Sequence, residues 1–120
     1  MNIELVRSFT FQAAHFLPRV SKEHKCRNMH GHAYKVEVAL HGPVDPEMGW
    51  LIDFGEIAKI LNPIREELDH SILNEIPGLE NPTAEILSTW IWKRVGPGLP
   101  HLHRVSVFES DNSGCHYTGD

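Results

Sequence analysis

Apolar residues recur at every second position along the first part of the chain, and this alternation constrains the fold more than any other feature. The apolar positions are Ile3, Leu5, Phe9, Phe11 and Ala13. Successive side chains of a β-strand point to opposite faces of a sheet, so a period of two predicts a long strand with one buried face. His15 has the same parity, which places its imidazole on the buried side, at the end of this strand.

A second alternating run extends from Tyr34 to Leu40, with polar or charged residues between most of the apolar ones. It predicts a second strand that ends at Gly42-Pro43. The segment between the two strands, from Phe16 to Gly31, is rich in Lys, Arg and His. We expect this segment to be an ordered loop that carries ligand-binding side chains.

The middle of the chain has the spacing of two amphipathic helices. Asp53 opens a capping-box pattern, and apolar residues follow at helical spacing as far as Leu68. Pro63 lies inside this run and predicts a kink or a break. Asn81-Pro82 predicts the start of a second helix with Asn81 as its cap, and Gly96-Pro97-Gly98 predicts its end.

Two short strands complete the expected architecture. Val105 and Val107 indicate the third strand, and residues 115 to 118 the fourth, after a polar turn at residues 111 to 114. The order strand, strand, helix, helix, strand, strand predicts an α+β fold, with a four-stranded antiparallel sheet and two helices on one face. The other face and both edges of such a sheet need partners, which favours oligomerisation through the sheet.

The composition excludes several classes of protein. A length of 120 residues fits a single domain spanning 1–120. The formal net charge is −5, whereas nucleic-acid-binding domains usually present a basic face, so we expect no nucleic-acid partner. We also expect no membrane span and no secretory signal, because no apolar run has the required length or flanks. With only two cysteines, we expect reduced thiols and a cytoplasmic protein.

Three histidines form the strongest candidate for a chemical site. His30 and His32 are two residues apart, so their rings point the same way in an extended segment. Together with His15 they offer three nitrogen donors to a Zn²⁺ ion that keeps one coordination position open for a substrate. Two alternatives stay open at this level. The histidines are solvated loop residues, or Cys26 is a fourth ligand that closes the site.

Cys26 precedes His30 by four residues and lies between Lys25 and Arg27. Neighbouring cations and a nearby metal favour the thiolate, so Cys26 is a candidate nucleophile or base. The simpler alternative is an inert, partly buried thiol. We apply that simpler interpretation to Cys115.

Two carboxylates add to the candidate site. Asp69 directly precedes His70, and such a pair can orient an imidazole and relay protons, although adjacent Asp-His pairs are common by chance. Glu109 shares the parity of Val105 and Val107, which puts a carboxylate on the apolar face of a strand. A buried carboxylate needs a partner, and a ligand with N–H donors would suit it. The alternative is that Glu109 has already reached solvent at the end of the strand.

Taken together, the motifs of this chain resemble those of the 6-pyruvoyltetrahydropterin synthase family. The resemblance covers essentially the whole chain, with five motifs in the same order. These are Phe11-Gln12-Ala13-Ala14-His15, Cys26-x-x-x-His30-Gly31-His32, Leu68-Asp69-His70, Asn81-Pro82-Thr83-x-Glu85 and Glu109. The three-residue spacing after Cys26 is similar to the bacterial 6-carboxytetrahydropterin synthase branch, because the pyruvoyl-forming branch typically has a longer spacing there. Segments 49–54 and 76–83 also resemble the carboxy-forming enzymes.

This resemblance implies a tunnelling fold, in which three subunits close their sheets into a barrel and two trimers stack into a homo-hexamer. It implies Zn²⁺ bound by His15, His30 and His32. The implied substrate is a pterin triphosphate, 7,8-dihydroneopterin triphosphate. The implied products are 6-carboxytetrahydropterin, acetaldehyde and triphosphate, on the route to 7-deazaguanine bases such as queuosine.

The resemblance also implies roles for individual residues. Cys26 would be the catalytic base, with Asp69 and His70 as a proton relay. Glu109 would anchor the pterin ring, and Thr83 would be a further pterin contact. On charge alone, the candidate contacts for the triphosphate are Lys25, Arg27 and Lys35.

Two other functions compete with this hypothesis. One is the pyruvoyl-forming reaction on the same substrate, which differs in releasing no acetaldehyde. The other is a zinc- or pterin-binding module without turnover. A pure binding module has no need for a base beside the metal, so the candidate roles of Cys26 and the Asp69-His70 pair argue against it.

Overall fold

The computed structural model describes all residues from 1 to 120. Five β-strands and two α-helices make up the fold, which confirms the predicted α+β class. In chain order they are β1 Asn2–His15, β2 His30–Pro43, α1 Phe54–Leu68, β3 Ser71–Ile72, α2 Ala84–Val95, β4 Leu102–Ser110 and β5 Ser113–Tyr117. A single 3-10 turn, Lys25–Arg27, interrupts the loop between β1 and β2.

β1 and β2 form a long antiparallel hairpin at the centre of the sheet. Each has 14 residues, and their register places Asn2 opposite Pro43 and His15 opposite His30. The sheet order is β3-β1-β2-β4-β5. β3 runs parallel to β1, and all other neighbouring strands are antiparallel. The hairpin register therefore brings the end of β1 and the start of β2 together at one end of the sheet.

One face of the sheet and both helices share a single apolar core. The predicted alternation in β1 and β2 is confirmed, because Phe11 and Tyr34 are buried while the residues that follow them, Gln12 and Lys35, are exposed. Burying one large apolar side chain stabilises a fold by about 1.5–3 kcal/mol. From the strands, the core contains Phe11, Ala13, Tyr34, Val36, Val38, Leu40, Val105 and Val107, and from the helices Ile57, Leu61, Ile64, Leu68, Leu87, Ile91 and Val95. Both helices therefore cover the same face.

The sheet has one strand more than the sequence predicts. β3 contains only Ser71 and Ile72, and it pairs with Ala13 and Ala14 of β1. Two residues are too short to show any periodicity, so no pattern in the sequence marks them. The sheet is mixed rather than purely antiparallel, because β3 follows α1 and returns to β1 in the same direction.

The two helices differ from the sequence prediction at one end and in one interior position. α2 begins at Ala84 with Thr83 as its cap, whose hydroxyl oxygen accepts a hydrogen bond from the Ile86 N–H at 3.1 Å. The prediction of Asn81 as the cap is therefore wrong, because the chain enters the helix two residues later. α1 continues through Pro63 without a break. Its N-terminal cap is Asp53, as predicted.

The face of the sheet opposite the helices is polar. Arg104 donates to Glu4 at 3.0 Å and to Glu37 at 3.3 Å, which links β1, β2 and β4 across this face. Ser106 is fully buried between Arg104 and His116, and it hydrogen-bonds to both. Neither helix of the chain has the length and apolar character that crossing a membrane requires.

Candidate active site

The structure brings His15, His30 and His32 together at the end of the β1–β2 hairpin. His15 and His30 are directly opposite each other in the register, and Ala13 is opposite His32. The three ring centroids are 4.6 to 5.1 Å apart. One nitrogen from each ring lies within 4.8 Å of the others, a spacing suited to a metal ion. Hairpin register and strand parity together produce this cluster.

Backbone carbonyls determine which nitrogen of two rings is free. Nδ1 of His15 is 2.8 Å from the carbonyl oxygen of Pro82, and Nδ1 of His30 is 2.7 Å from that of Asn28. A carbonyl can only accept, so both Nδ1 atoms carry a hydrogen and both Nε2 atoms keep a lone pair. Metal-ligating histidines are usually oriented in this way by their second nitrogen.

His15 carries the observation that best tests whether a metal fits. Its side chain is 1% exposed, and its Nε2 is buried without any hydrogen-bond partner. Leaving a buried polar atom unpaired costs about 1–3 kcal/mol, so a native structure usually provides a partner. A metal ion coordinated by this nitrogen and by the other two rings would provide one. The donor set of three imidazoles suits Zn²⁺ and leaves a position open.

The environment of His15 keeps its ring neutral. Burial lowers the pKa of His15, and the neighbouring His30 and His32 lower it further, against opposing contributions from the Pro82 carbonyl and Glu109. A neutral imidazole is the form that binds a metal. Burial also raises the pKa of Tyr34, whose hydroxyl lies 3.2 Å from Nδ1 of His15. Tyr34 therefore remains a neutral phenol beside the ring.

Glu109 reaches the histidine cluster from β4. Its Oε2 is 3.6 Å from Nε2 of His15 and 3.7 Å from Nε2 of His32. The register between β4 and β5 shifts between Phe108 and Ser110, so Glu109 lies at a β-bulge. Bulges redirect side chains next to functional sites. The side chain is 30% exposed, so the carboxylate borders the cluster and remains accessible to a ligand rather than pointing away into solvent.

Cys26 lies in the turn Lys25–Arg27 and is partly buried. Its thiol does not belong to the cluster of mutually close donors formed by the three histidines. The alternative in which Cys26 closes the metal site as a fourth ligand is therefore not the arrangement observed. The loop itself is ordered near the site, because the N–H of Leu17 donates to the carbonyl of Cys26 at 2.8 Å.

Asp69 and His70 form a pair at the end of α1. Oδ2 of Asp69 is 3.0 Å from Nδ1 of His70, and Oδ1 accepts the backbone N–H of Gln12 at 2.9 Å. That N–H, followed by His70 and Arg65, holds the pKa of the Asp69 carboxyl below its usual value. His70 has a φ of 60° and a side chain that is 80% exposed. A left-handed backbone at a residue other than glycine costs about 1–2 kcal/mol and tends to occur at functional sites.

Thr83 is the N-terminal cap of α2. The preceding residue, Pro82, supplies the carbonyl that binds His15, so the start of α2 and the orientation of His15 depend on the same short segment. The sequence gives no sign of the roles of Pro82 and Asn28, because these residues act through backbone carbonyls. Tyr34 was recognisable only as a core position of β2, and the polar contact of its hydroxyl was missed.

The comparisons with known proteins agree with this geometry. The family model described as 6-pyruvoyl tetrahydropterin synthase matches residues 4–120. The chain belongs to that family. A curated relative, the 6-carboxy-5,6,7,8-tetrahydropterin synthase of Synechocystis, is 36% identical over 119 residues, covering 94% of this chain and 91% of that protein. Another is the dihydroneopterin monophosphate aldolase of Pyrococcus furiosus, which is 32% identical over 95% of this chain and 96% of its own length.

The fold of this family member matches solved structures as well. The 6-pyruvoyl tetrahydropterin synthase of Caenorhabditis elegans superposes with a TM-score of 0.92, at 24% sequence identity, over 100% of this chain and 97% of that chain. At this level of identity the match supports the fold alone. This family member and the Caenorhabditis elegans enzyme therefore share a closely similar framework.

Proposed function

We propose that this protein is a zinc-dependent 6-carboxytetrahydropterin synthase. It would convert 7,8-dihydroneopterin triphosphate and water into 6-carboxytetrahydropterin, acetaldehyde and triphosphate. The observation that carries the proposal is the buried, unpaired Nε2 of His15 in a cluster with His30 and His32, bordered by the Glu109 carboxylate. The 36% identity to the Synechocystis enzyme of that name supports the choice of reaction.

His15, His30 and His32 would hold the zinc ion. Zinc bound there would supply Lewis-acid chemistry, making the carbon next to the substrate's side-chain oxygens easier to deprotonate. This site is preorganised for metal binding, because the carbonyls of Pro82 and Asn28 hold the rings of His15 and His30 in the tautomer with a free Nε2. Such preorganisation reduces the entropy that binding must otherwise cost.

Glu109 would bind and orient the pterin. As a carboxylate it can accept two hydrogen bonds, from the ring N–H and the exocyclic amino group of the pterin. Its closeness to Nε2 of His15 and of His32 would keep the ring beside the metal ligands. Thr83 would add a contact through its hydroxyl hydrogen, which remains available because the hydroxyl oxygen acts as the acceptor in the cap of α2.

Cys26 would act as the base, its Sγ accepting a proton from the substrate carbon. The Asp69-His70 pair would then relay protons. The contact of Asp69 with Nδ1 of His70 holds one ring nitrogen, so the relay would act through Nε2 of the same ring. His70 is largely exposed within one chain, which leaves that nitrogen free to meet a substrate or another subunit. Proton transfer by a positioned side chain typically contributes about 10²- to 10⁴-fold to a rate.

The reaction is tested by incubating the purified protein with 7,8-dihydroneopterin triphosphate. Products are identified by mass spectrometry, and bound metal is quantified in the same sample. We expect 6-carboxytetrahydropterin with acetaldehyde, and about one zinc ion per chain. Cys26→Ala should abolish turnover while zinc stays bound, with Cys115→Ala as the matched control. Turnover retained in Cys26→Ala would remove Cys26 from the mechanism.

Other candidate functions give different outcomes in the same assay. The pyruvoyl-forming reaction would release triphosphate without acetaldehyde. Dihydroneopterin monophosphate, supplied in parallel, tests for the activity for which the Pyrococcus furiosus relative is named. Binding of a pterin and zinc with no product from either substrate would identify a binding module without catalysis.

The wider setting of the enzyme belongs to the same proposal. We propose a single domain over residues 1–120 that assembles into a homo-hexamer and acts in the cytoplasm, where its two free thiols would stay reduced. Its product would enter the synthesis of 7-deazaguanine bases such as queuosine. Neither a nucleic acid nor a membrane would take part in the reaction.

A further inference from the structure

Positive charge is concentrated in the loop that joins β1 to β2. Residues 16–29 contain four of the 11 Lys and Arg residues of the chain, but only one of its 16 Asp and Glu residues. The rest of the protein is correspondingly acidic. A basic loop in an acidic protein is an electrostatic site for an anion, because it raises the local concentration of negatively charged ligands.

The cations of this loop also differ from the others in having no carboxylate partners. Five of the seven Lys and Arg residues outside the loop make ion pairs, whereas none of the four inside it does. Arg19, Lys22 and Lys25 are exposed, and Glu23 pairs with none of them. A cation without a carboxylate partner remains available to attract a bound polyanion.

Backbone contacts order the loop instead of ion pairs. Nη1 of Arg27 donates to the carbonyl of Val20 at 3.0 Å, which joins the two arms of the loop. The ring of His24 accepts the N–H of Cys26 at 3.0 Å and caps the turn Lys25–Arg27. The side chain of Arg27 therefore stabilises the conformation of the loop. The ammonium groups of Lys22 and Lys25 make no ion pair within this ordered loop.

The loop lies on a defined side of the candidate active site. The Cys26 carbonyl is bonded to Leu17, two residues beyond His15, and the Asn28 carbonyl is bonded to the ring of His30. Glu109 approaches the other two imidazoles, His15 and His32. A substrate whose pterin rests on Glu109 and whose side chain reaches the histidines would extend its far end toward this loop.

We infer that the loop of residues 16–29 is the subsite for the triphosphate chain of the substrate, with Lys22 and Lys25 as its main contacts. This inference rests on the proposed function for the identity of the substrate. The loop makes the enzyme select triphosphate esters over monophosphate esters, because only the longer and more highly charged chain meets both ammonium groups. Sequence alone suggested Lys25, Arg27 and Lys35. In the structure Arg27 is hydrogen-bonded to the carbonyl of Val20, and Lys35 pairs with Glu37 at 3.6 Å. We therefore assign the contacts to Lys22 and Lys25 instead of Arg27 and Lys35.

The test compares the double variant Lys22→Gln/Lys25→Gln with the wild type. We expect the KM for 7,8-dihydroneopterin triphosphate to rise about tenfold, equivalent to about 1.4 kcal/mol. Dephosphorylated 7,8-dihydroneopterin, used as a competitive inhibitor, should keep its inhibition constant. The matched control is Lys59→Gln/Lys93→Gln, which removes the same charge from the exposed surfaces of α1 and α2. A double variant that behaves like this control would overturn the inference.

A binding measurement keeps the inference separate from the proposed reaction. Titration calorimetry measures the affinity of the magnesium complex of inorganic triphosphate for the metal-loaded protein, and the metal content is checked afterwards. We expect affinity that falls as salt is raised and that weakens about tenfold in Lys22→Gln/Lys25→Gln but not in the control. Loop-dependent binding without turnover would refute the reaction and retain the subsite. Turnover with no effect of the loop variant would retain the reaction and refute the subsite.

Discussion

At the scale of single residues, the most consequential contact is the approach of Glu109 to two histidine nitrogens. A carboxylate 3.6 Å from one Nε2 and 3.7 Å from another can serve either a ligand or a metal. The cluster of mutually close donors contains only the three histidines, which favours the ligand. The two roles of Glu109 predict different results when its charge is removed. A role in ligand binding predicts lower kcat/KM with unchanged zinc content, whereas a role as metal ligand predicts loss of zinc.

Glu109→Gln keeps the size of the side chain and removes its negative charge. We expect kcat/KM to fall about 10- to 150-fold, because a hydrogen bond to a charged group contributes about 1.5–3 kcal/mol. The zinc content, measured by mass spectrometry on the same preparation, should not change. Glu66→Gln, an exposed carboxylate on α1, serves as a comparison. Stoichiometric loss of zinc from Glu109→Gln would instead make Glu109 a metal ligand.

Tyr34 provides a second prediction at this scale. Its buried hydroxyl and the Pro82 carbonyl both contact Nδ1 of His15. Because the carbonyl accepts the Nδ1 hydrogen at the shorter distance, the phenol oxygen is a secondary partner that helps to hold the ring. Tyr34→Phe should lower zinc affinity by about tenfold. Removing a hydrogen-bond partner of a metal-ligating histidine typically lowers metal affinity by about 10- to 100-fold, and a secondary partner should lie at the lower end of that range. A chelator competition measures this affinity.

Phe11→Leu is the control for Tyr34→Phe. Phe11 stacks on Tyr34 with ring centroids 4.8 Å apart, but it has no polar contact with His15. This change should lower the melting temperature through lost packing, with zinc affinity maintained. If both variants changed zinc affinity equally, core packing rather than the Tyr34 hydroxyl would be responsible.

At the scale of elements, some of the site follows from the sequence and some does not. Parity placed His15 on the inner face of β1, and the hairpin register then brought it opposite His30. The parity is a local pattern of the sequence, whereas the register depends on pairing across the loop of residues 16–29 and comes from the structure. The carbonyls of Pro82 and Asn28 could not be predicted, because any residue type presents a carbonyl. β3 and the start of α2 at Ala84 were also missed, since tertiary pairing and the Thr83 cap determine them.

The connection from α1 to β1 depends on Asp69 and gives a pH-dependent prediction. The pKa of Asp69 is held below its usual value of 3.8 in the folded protein, first by the N–H of Gln12. Its contribution to stability is therefore complete above pH 3.8 and is lost as the pH falls through the folded pKa. Asp69→Asn should melt at a lower temperature than the wild type at pH 7, and the difference should vanish in acid.

This comparison uses metal-free protein, so that loss of zinc does not contribute to the melting curves. Glu66→Gln is a suitable control, because Glu66 is exposed on α1 and makes no ion pair. Its melting temperature should track that of the wild type throughout the pH range. A difference between Asp69→Asn and the wild type that persisted well below the folded pKa would mean that the charge is not the cause.

At the scale of the whole molecule, the chain is too extended for a compact domain of its size. Its radius of gyration is 15.6 Å, against about 13.6 Å expected for this length, and its extents are 57 × 24 × 23 Å. The sheet is not closed, since β3 and β5 are edge strands, and only one of its faces is covered by helices. Open edges on a long sheet are usually paired or protected. Assembly of several copies, edge to edge, would account for both the shape and the edges.

The homo-hexamer proposed above predicts a mass of about 82 kDa, six times the chain mass of 13.6 kDa, in analytical ultracentrifugation at micromolar concentration. Ile72→Asp adds a charge to the edge strand β3 and should shift the protein to smaller species, because the charge opposes edge pairing. Ile86→Asp is the matched control, since Ile72 and Ile86 are both 38% exposed but Ile86 lies on α2. A wild-type protein that sedimented at 13.6 kDa would contradict assembly, and equal dissociation of the two variants would contradict assembly through the β3 edge. If the active site is completed between subunits, Ile72→Asp should lose turnover in parallel with its loss of mass, while its zinc content stays constant.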